Sequence, residues 1–374
     1  MSISSVRSAL KYLATWLLIW TASAGAAELA LRLHGDLPSE DLGGLYEQFG
    51  TGFKLRPSVD TGATWSTGAF SVHTDALGLR CDLARRMGTR QYDKVDWLFL
   101  GDSQGFGNGV SYEDTIVGTV ALRAVESGQV VRNACIAGQK PLNQLELATL
   151  LRQRDGLRVS NYVYLFTPVA IATCGSFTTA TVGPDGRLYG QATTRGTLAR
   201  TWIKTHSAAY GRVRDAIRST GLGVQPDEET PFVFGLYRTG ETAQENNRPC
   251  AEVLQRLKTF ASKGNASVQL VYMPLTLEMN FDAIQSGANE RGIAVDVNAP
   301  FRVLSAAAKE TGLPLHDLRP VLRALHATGQ PLSLFPDFHY TPAVSRASGL
   351  SIWEYLMSSV KESVDAETGL KSGE

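Results

Sequence analysis

Short apolar runs alternate with segments of helical periodicity from about residue 95 to the end of the sequence. Apolar runs of this length, bounded by glycine and turn residues, are typical of buried strands. Strands that alternate with helices predict a parallel sheet with helices on both faces. We therefore predict an α/β fold, a three-layer α/β/α sandwich around a mainly parallel sheet of five strands. The predicted strands are residues 95–100, 130–133, 162–166, 267–273 and 313–316, and the predicted helices are residues 115–127, 141–154, 253–263, 301–311 and 342–357.

The rest of the chain surrounds this alternating region. Residues 34–94 are Gly-rich and predict an irregular lead-in that packs on the domain and contains short β-prone pieces such as Ala69-Phe70-Ser71-Val72. The domain itself is expected over 95–360, with an insertion at 175–249 and a polar tail at 361–374. Within the insertion, Gly183-Pro184-Asp185-Gly186 predicts a hairpin turn.

The N-terminus carries an export signal, predicted over residues 1–33. Arg7 and Lys11 precede or open an apolar stretch over 10–27. The stretch is either cleaved near its small residues or kept as one transmembrane helix from about residue 8 to residue 31, long enough for a bilayer of about 30 Å. We favour an anchor in the inner membrane; in both cases the rest of the chain faces the periplasm or the outside.

Charge and cysteine content narrow the function classes. Lys+Arg and Asp+Glu both number 36, so the formal net charge is zero, and nucleic acid is not an expected partner. No cysteine pair has the CxxC spacing of a zinc site, so neither a metal nor a cofactor is expected. Disulfides and free thiols remain equally open. If Cys174 and Cys250 clamp the insertion that they bracket, their Cα atoms should lie about 4.4–6.8 Å apart.

A serine follows directly on the first predicted strand, in Gly101-Asp102-Ser103-Gln104-Gly105. A serine at such a turn lies at the carboxyl end of a parallel sheet, where these folds bind their ligands. The pattern fits the nucleophile elbow of α/β-hydrolases, the serine segment of trypsin-like proteases, or a simple capped turn.

A second chemical motif precedes the last predicted helix. Asp337 and His339 lie two residues apart in a loop. Catalysis by a serine needs a base for its proton and an acid that holds the imidazole in the correct tautomer. We therefore predict a catalytic triad of Ser103, Asp337 and His339, against the alternative that Asp337 caps the helix and His339 lies on the surface.

These motifs together resemble the SGNH (GDSL-like) hydrolase family. The resemblance rests on Gly-Asp-Ser at 101–103, on Asn-Ala-Cys-Ile-Ala-Gly at 133–138 and on Asp-Phe-His at 337–339. It implies a flavodoxin-like sheet and an oxyanion held by the backbone N–H groups of Ser103 and Gly138. An α/β-hydrolase separates its Asp and His widely, and a trypsin-like enzyme places them before the serine, so both alternatives fall.

The resemblance extends to the membrane-anchored bacterial branch of the family. His-Thr-Asp-Ala-Leu-Gly-Leu-Arg at 73–80 and Gly-Asn-Gly-Val at 107–110 carry this part, and the whole covers roughly residues 70–170 and 250–358. One departure lies after the third predicted strand, where the family's oxyanion-hole Asn is absent and the sequence reads Thr167-Pro168. The Thr167 hydroxyl is the candidate substitute, with a plain turn residue as the alternative.

The implied function is an exported serine esterase that acts on acyl esters. The expected substrate is an O-acetyl group of a cell-surface or exported polysaccharide, or another small ester. An O-acyltransferase with the same residues remains an alternative, as does a non-catalytic glycan-binding or scaffold protein on a degenerate hydrolase fold.

Other polar and aromatic residues receive secondary interpretations. The insertion predicts a helix over 198–217 with Trp202, His206, Tyr210 and Arg214 on one face, which is either a glycan platform or a packing surface. Asp317 is expected to cap the helix after it, and Trp65 is expected in the core or the cleft.

Overall fold

The structure is a computed structural model. It describes residues 3–33, 40–42, 44–50, 52–65, 68–83, 94–178, 180–190, 207, 235–238, 241–334 and 338–368. The chain divides into two compact units, one made of Met1–Asp41 with Ala192–Gln225 and the other of Leu42–Gln191 with Pro226–Glu374.

The described elements are numbered here in chain order. The strands are β1 (Glu40–Asp41), β2 (Tyr46–Phe49), β3 (Gly52–Leu55), β4 (Asp60–Trp65), β5 (Gly68–Thr74), β6 (Arg80–Cys81), β7 (Lys94–Gly101), β8 (Val131–Asn133), β9 (Arg158–Phe166), β10 (Ala180–Val182), β11 (Leu188–Gly190), β12 (Ser267–Tyr272) and β13 (Leu315–Asp317). The α-helices are α1 (Ile3–Leu33), α2 (Ser103–Phe106), α3 (Ile116–Glu126), α4 (Pro141–Gln153), α5 (Pro168–Ala172), α6 (Glu241–Ser262), α7 (Asp282–Asn289), α8 (Ala299–Thr311), α9 (Arg319–Ala327) and α10 (Pro342–Thr368). Short 3₁₀ helices cover Tyr112–Asp114 and Thr276–Asn280.

The first unit contains the N-terminal apolar stretch. It forms one continuous helix, α1, as the sequence predicts. Within it, Lys11–Leu31 has a mean hydropathy of 1.3 and none of its apolar window is buried, so this helix is long and apolar enough to cross a membrane. Either a membrane anchor or a signal sequence fits this observation.

The second unit is built on a sheet whose five parallel strands follow the order β8-β7-β9-β12-β13. This is the strand order of flavodoxin-like folds, and it confirms the predicted fold class. β7 and β9 are buried along most of their length, since helices cover both faces. The order reverses direction between β7 and β9, which puts the chain turn after β7 at the position where such sheets bind ligands.

Two groups of helices flank the sheet. Helix α10 packs against α3 and α9, whereas α6 packs against α8 and α4. Helix α6 begins at Glu241, well before the predicted start at residue 253. Pro249 lies inside this helix and does not mark its beginning. Helix α10 likewise continues to Thr368, into the segment predicted as a polar tail.

The lead-in differs from its prediction. It forms strands β2 to β6, of which β4, β5 and β6 pair antiparallel and join the parallel strands where Arg80 pairs with Asn133 of β8. We call β4–β6 the antiparallel extension. Its junction is held by an ion pair of 2.5 Å between Arg132 and Asp75, both buried. The sheet is therefore mainly, but not wholly, parallel.

A disulfide joins the two ends of the insertion. Cys174 and Cys250 form a disulfide with a Cα–Cα distance of 5.1 Å, within the predicted range. The hairpin turn predicted at residues 183–186 joins the antiparallel pair β10 and β11. The predicted helix with Trp202, His206, Tyr210 and Arg214 lies outside the described residues.

Candidate active site

Ser103 is the first residue of α2, directly after β7. Asp102 caps this helix, and its Oδ1 accepts a hydrogen bond of 3.0 Å from the Gln104 backbone N–H. A Cβ atom at Gly105 would lie 2.5 Å from Cys135 Sγ, so only glycine fits where α2 packs on the segment after β8. The tight turn therefore depends on the Gly-x-Ser-x-Gly pattern, and it places Ser103 at the carboxyl edge of the sheet.

His339 lies in a loop that the side chain of Gln104 holds beside α2. Gln104 Nε2 donates to the Phe338 carbonyl oxygen at 3.0 Å, and its Oε1 accepts from the Tyr340 backbone N–H at 3.2 Å. The structure therefore brings the Ser103 turn and the His339 loop to the same edge of the sheet. The direct hydrogen bond from Ser103 Oγ to His339 remains a prediction, and Asp337 lies outside the described residues.

Two aromatic rings flank the imidazole of His339, which is itself buried. The Trp65 ring meets it edge to face, with centroids 5.5 Å apart. The Phe338 ring lies nearly parallel to it, also at 5.5 Å, and is 37% exposed. The site thus has an aromatic rim beside the proposed base.

Asp102, the residue before Ser103, has a buried carboxyl group. Burial raises the pKa of its carboxyl above the ordinary value, while the hydrogen bond from Thr167, that from Gln104 and the nearby charge of His339 oppose the rise.

Thr167 has a defined role in the structure. Its hydroxyl donates to Asp102 Oδ2 at 2.5 Å and accepts from the Ala170 N–H at 3.2 Å, so it also caps α5. A hydroxyl has a single proton to donate. For Thr167 to act as the predicted oxyanion donor, its hydrogen bond to Asp102 would have to break.

Gly138 lies in the turn after β8 with a φ of +80°, a conformation that favours glycine. Its carbonyl accepts a hydrogen bond of 2.7 Å from the Thr178 hydroxyl.

A chain of buried amides fixes the turn that contains Gly138. The Gly101 N–H donates to Gln144 Oε1, and Gln144 Nε2 donates to Gln139 Oε1. The chain ends where Gln139 Nε2 donates to the carbonyl of Phe53. It links the turn of Gly138 to the turn of Ser103, and the oxyanion role of the Gly138 N–H remains a prediction.

Comparison with known proteins gives structural similarity at low identity. No protein-family model matches the sequence, and no curated protein matches it. An acetyl xylan esterase structure is 16% identical, with 70% of this chain and 99% of that chain covered and a TM-score of 0.37. An aryl esterase of M. smegmatis is 14% identical over 71% and 99% of the two chains, with a TM-score of 0.38. The lipase/acylhydrolase from Enterococcus faecalis is 12% identical over 70% and 95%, with a TM-score of 0.37. TM-scores this low assign no activity to this chain.

The sequence analysis missed residues that hold the site from outside the parallel strands. Arg80 is fully buried between Phe70 and Phe106, and its guanidinium donates to the carbonyls of Phe106, Gly107 and Val110, just after α2. In the sequence, only the family resemblance of the motif at 73–80 marks Arg80. No local pattern marks Gln104, because its partners lie more than two hundred residues away.

Two other histidines in the described part of the chain, His73 and His316, have polar partners of their own. His73 Nδ1 is 3.0 Å from Asp60 across β4 and β5. His316 Nε2 lies 3.0 Å from the Ser351 hydroxyl on α10. Asp317 accepts from the Arg319 N–H at 2.9 Å just before α9, but the N-cap residue of this helix is Leu318 and not the predicted Asp317.

Proposed function

We propose that this protein is an exported serine esterase of the SGNH type. The observation that carries the proposal is the Gln104 side chain, which binds the backbone on both sides of His339 and so joins the predicted base to the turn of the predicted nucleophile. The position of Ser103 at the strand-order reversal, where α/β sheets bind ligands, also supports it.

The proposed reaction is acyl transfer. His339 takes the proton of Ser103 Oγ, which attacks the ester carbonyl and forms a tetrahedral oxyanion held by the N–H groups of Ser103 and Gly138. His339 then returns the proton to the leaving alkoxide, and the acyl group stays on Ser103. A water molecule, deprotonated by His339, releases the free acid and restores the serine. Asp337 holds the imidazole tautomer.

Two observations support an extracytoplasmic location. Helix α1 fits a membrane anchor, and the Cys174–Cys250 disulfide is of the kind that persists in oxidising compartments. We propose that α1 stays in the inner membrane and that the catalytic unit lies in the periplasm, with cleavage of a signal peptide as the alternative.

The aromatic rim supports a glycan substrate. Sugar rings stack on aromatic faces, and Phe338 presents a partly exposed ring beside His339, with Trp65 on its other flank. We propose an O-acetyl group on a cell-surface or exported polysaccharide as the ester.

Acetate release tests this proposal. The full-length protein in detergent is incubated with an aryl acetate and with an O-acetylated polysaccharide, beside Ser103→Ala. Ser351→Ala is the control, because Ser351 also contacts a histidine but lies in the middle of a helix. We expect release by the wild type and by Ser351→Ala only. Turnover that requires a saccharide acceptor would make the protein an acyltransferase, and no turnover of either ester would contradict the proposal.

A further inference from the structure

Gln104 is buried and uses both ends of its side-chain amide. Only 5% of the residue is exposed. Its Nε2 donates to the Phe338 carbonyl, and its Oε1 accepts from the Tyr340 N–H, at 3.0 and 3.2 Å. The two bonded backbone groups belong to the residues on either side of His339, so one side chain grips the loop at two points around the imidazole.

The other end of this connection is the nucleophile turn. Gln104 follows Ser103 in the first turn of α2, and its own N–H is bound to the capping carboxylate of Asp102. The path from Ser103 to the His339 loop therefore consists of one peptide bond and one side chain. A shift of Gln104 would move the two reacting groups relative to each other.

Two other bonds of the loop, among the residues that the structure describes, lead away from α2. The His339 carbonyl accepts from the Leu334 N–H at 2.8 Å, and the Tyr340 hydroxyl donates to the Pro274 carbonyl at 2.5 Å. These bonds attach the loop to its own preceding segment and to the end of β12. Neither of them reaches α2.

We propose that Gln104 is a positioning residue that sets the distance and angle between Ser103 and His339. The inference rests on the proposed function. Acyl transfer requires the base within hydrogen-bond reach of the serine proton, and a displacement of about 1 Å can cost about a hundredfold in rate. The effect should fall on kcat, because the group held in place moves a proton and does not bind the substrate.

Two substitutions separate positioning from simple stability. Gln104→Met keeps the volume but removes both hydrogen bonds to the loop. Gln104→Glu keeps the acceptor for the Tyr340 N–H and loses the donor to Phe338. It also adds a negative charge near His339, which stabilises a positive charge on the imidazole. The matched control is Gln269→Met, since Gln269 is also a buried amide and accepts a hydrogen bond of 2.7 Å from Tyr355, on α10.

The experiment measures kcat, KM and the thermal midpoint of the full-length protein with an aryl acetate, together with the pH profile of kcat/KM. For Gln104→Met we expect a fall of about 100-fold in kcat, a KM within about threefold of the wild type, and a midpoint close to that of Gln269→Met, whose kcat stays within about threefold. For Gln104→Glu we expect the acid limb of the pH profile to move to higher pH.

The outcomes distinguish this inference from the proposed function. If the wild type hydrolyses the ester and Gln104→Met retains its kcat, or if both methionine variants lose activity equally, the positioning role is wrong and the esterase proposal stands. An unmoved acid limb in Gln104→Glu would also count against it. If the wild type neither turns over the ester nor reacts with a fluorophosphonate, the proposed function fails and the positioning role fails with it.

Discussion

The parallel strands and the antiparallel extension contribute different things to the same site. The ends of the parallel strands bear the groups of the proposed chemistry: Ser103 follows β7, Gly138 lies after β8, and Thr167 follows β9. The extension supplies Arg80, which binds the loop after α2, and Trp65, which packs against His339. The comparison shows that the groups of the proposed chemistry lie on one part of the sheet, whereas the added part contributes residues that pack around them.

This division predicts which measurement each substitution should change. Substitutions at the ends of β7 and β8 should change the rate with little effect on unfolding. Substitutions in the extension should change the free energy of unfolding first.

The largest effect is expected at Ser103. Replacement by alanine removes the proposed nucleophile and should lower kcat by about 10⁴-fold or more, as for other serine enzymes. Ser103 is only partly buried, so the unfolding midpoint should stay close to that of the wild type. Steady-state hydrolysis and thermal unfolding of the same preparation check both parts; activity retained in Ser103→Ala would break the comparison.

The next effect is expected at Arg80 in the extension. Arg80→Met removes a charged donor from the carbonyls of Phe106, Gly107 and Val110, of which Gly107 keeps a bond from the Val110 N–H. Each lost bond to the guanidinium costs about 1–3 kcal/mol. We expect the free energy of unfolding to fall by about 3 kcal/mol or more, measured by denaturant titration in detergent. Arg123→Met is the control and should change it by less than about 0.5 kcal/mol, because Arg123 pairs with Glu126 on the exposed side of α3. Equal changes in the free energy of unfolding for the two substitutions would contradict the structural role of Arg80.

A smaller, pH-dependent effect is expected at Glu278, in the 3₁₀ helix that follows β12. Glu278 is buried, accepts from the hydroxyls of Tyr237 and Tyr272, and burial raises its pKa from 4.5 to about 7. The folded state therefore binds this proton more tightly than the unfolded state. Its contribution to stability is full below pH 4.5 and is lost as the pH rises through 7.

Glu278→Gln should remove this part of the pH dependence, which is at most about 3 kcal/mol. The free energy of unfolding, measured between about pH 4.5 and pH 8, checks it, with Glu310→Gln on the exposed side of α8 as the control. A wild type whose stability rises over this range, with an unchanged slope in Glu278→Gln, would contradict the assignment.

The smallest effect is expected at Thr167. Thr167→Val removes the hydrogen bond to Asp102 and the cap of α5, which should cost about 1 kcal/mol of stability. Because its proton is engaged by Asp102, we expect kcat to fall less than about tenfold, whereas loss of an oxyanion donor costs about 10²–10³-fold. Thr149→Val, which loses a hydroxyl bond to a helix carbonyl on α4, is the control. A fall in kcat of about a hundredfold or more would instead support Thr167 as an oxyanion donor.

The sequence predicted the parallel strands well and the extension poorly, for a physical reason. The apolar run at 95–100 is buried on both sides as β7, so its composition alone marks it as a strand. Strands β4 and β5 contain glycine, threonine and serine in an irregular pattern, and they depend on pairing with each other and with β6 for their conformation. Such pairing between segments leaves little local trace.

The site shows the same contrast. Short motifs mark Ser103 and His339, because the proposed chemistry requires those residue types in tight turns. The roles of Gln104, Gln144 and Arg80 depend on the backbone groups that they meet in the folded chain, and those groups belong to any residue type. These hydrogen bonds can be identified only in the folded structure, where the turns lie next to each other.

Covalent labelling tests the central claim most directly. The full-length protein is treated with a serine-directed fluorophosphonate, and the labelled peptide is identified by mass spectrometry, with His339→Gln and Ser351→Ala treated in parallel. We expect a single phosphonylated residue, Ser103, with labelling slowed by at least about 100-fold in His339→Gln, because the base that activates the serine is lost, and unchanged in Ser351→Ala. An unlabelled wild type, a label on a different serine, or labelling of Ser103 that does not depend on His339 would contradict the account.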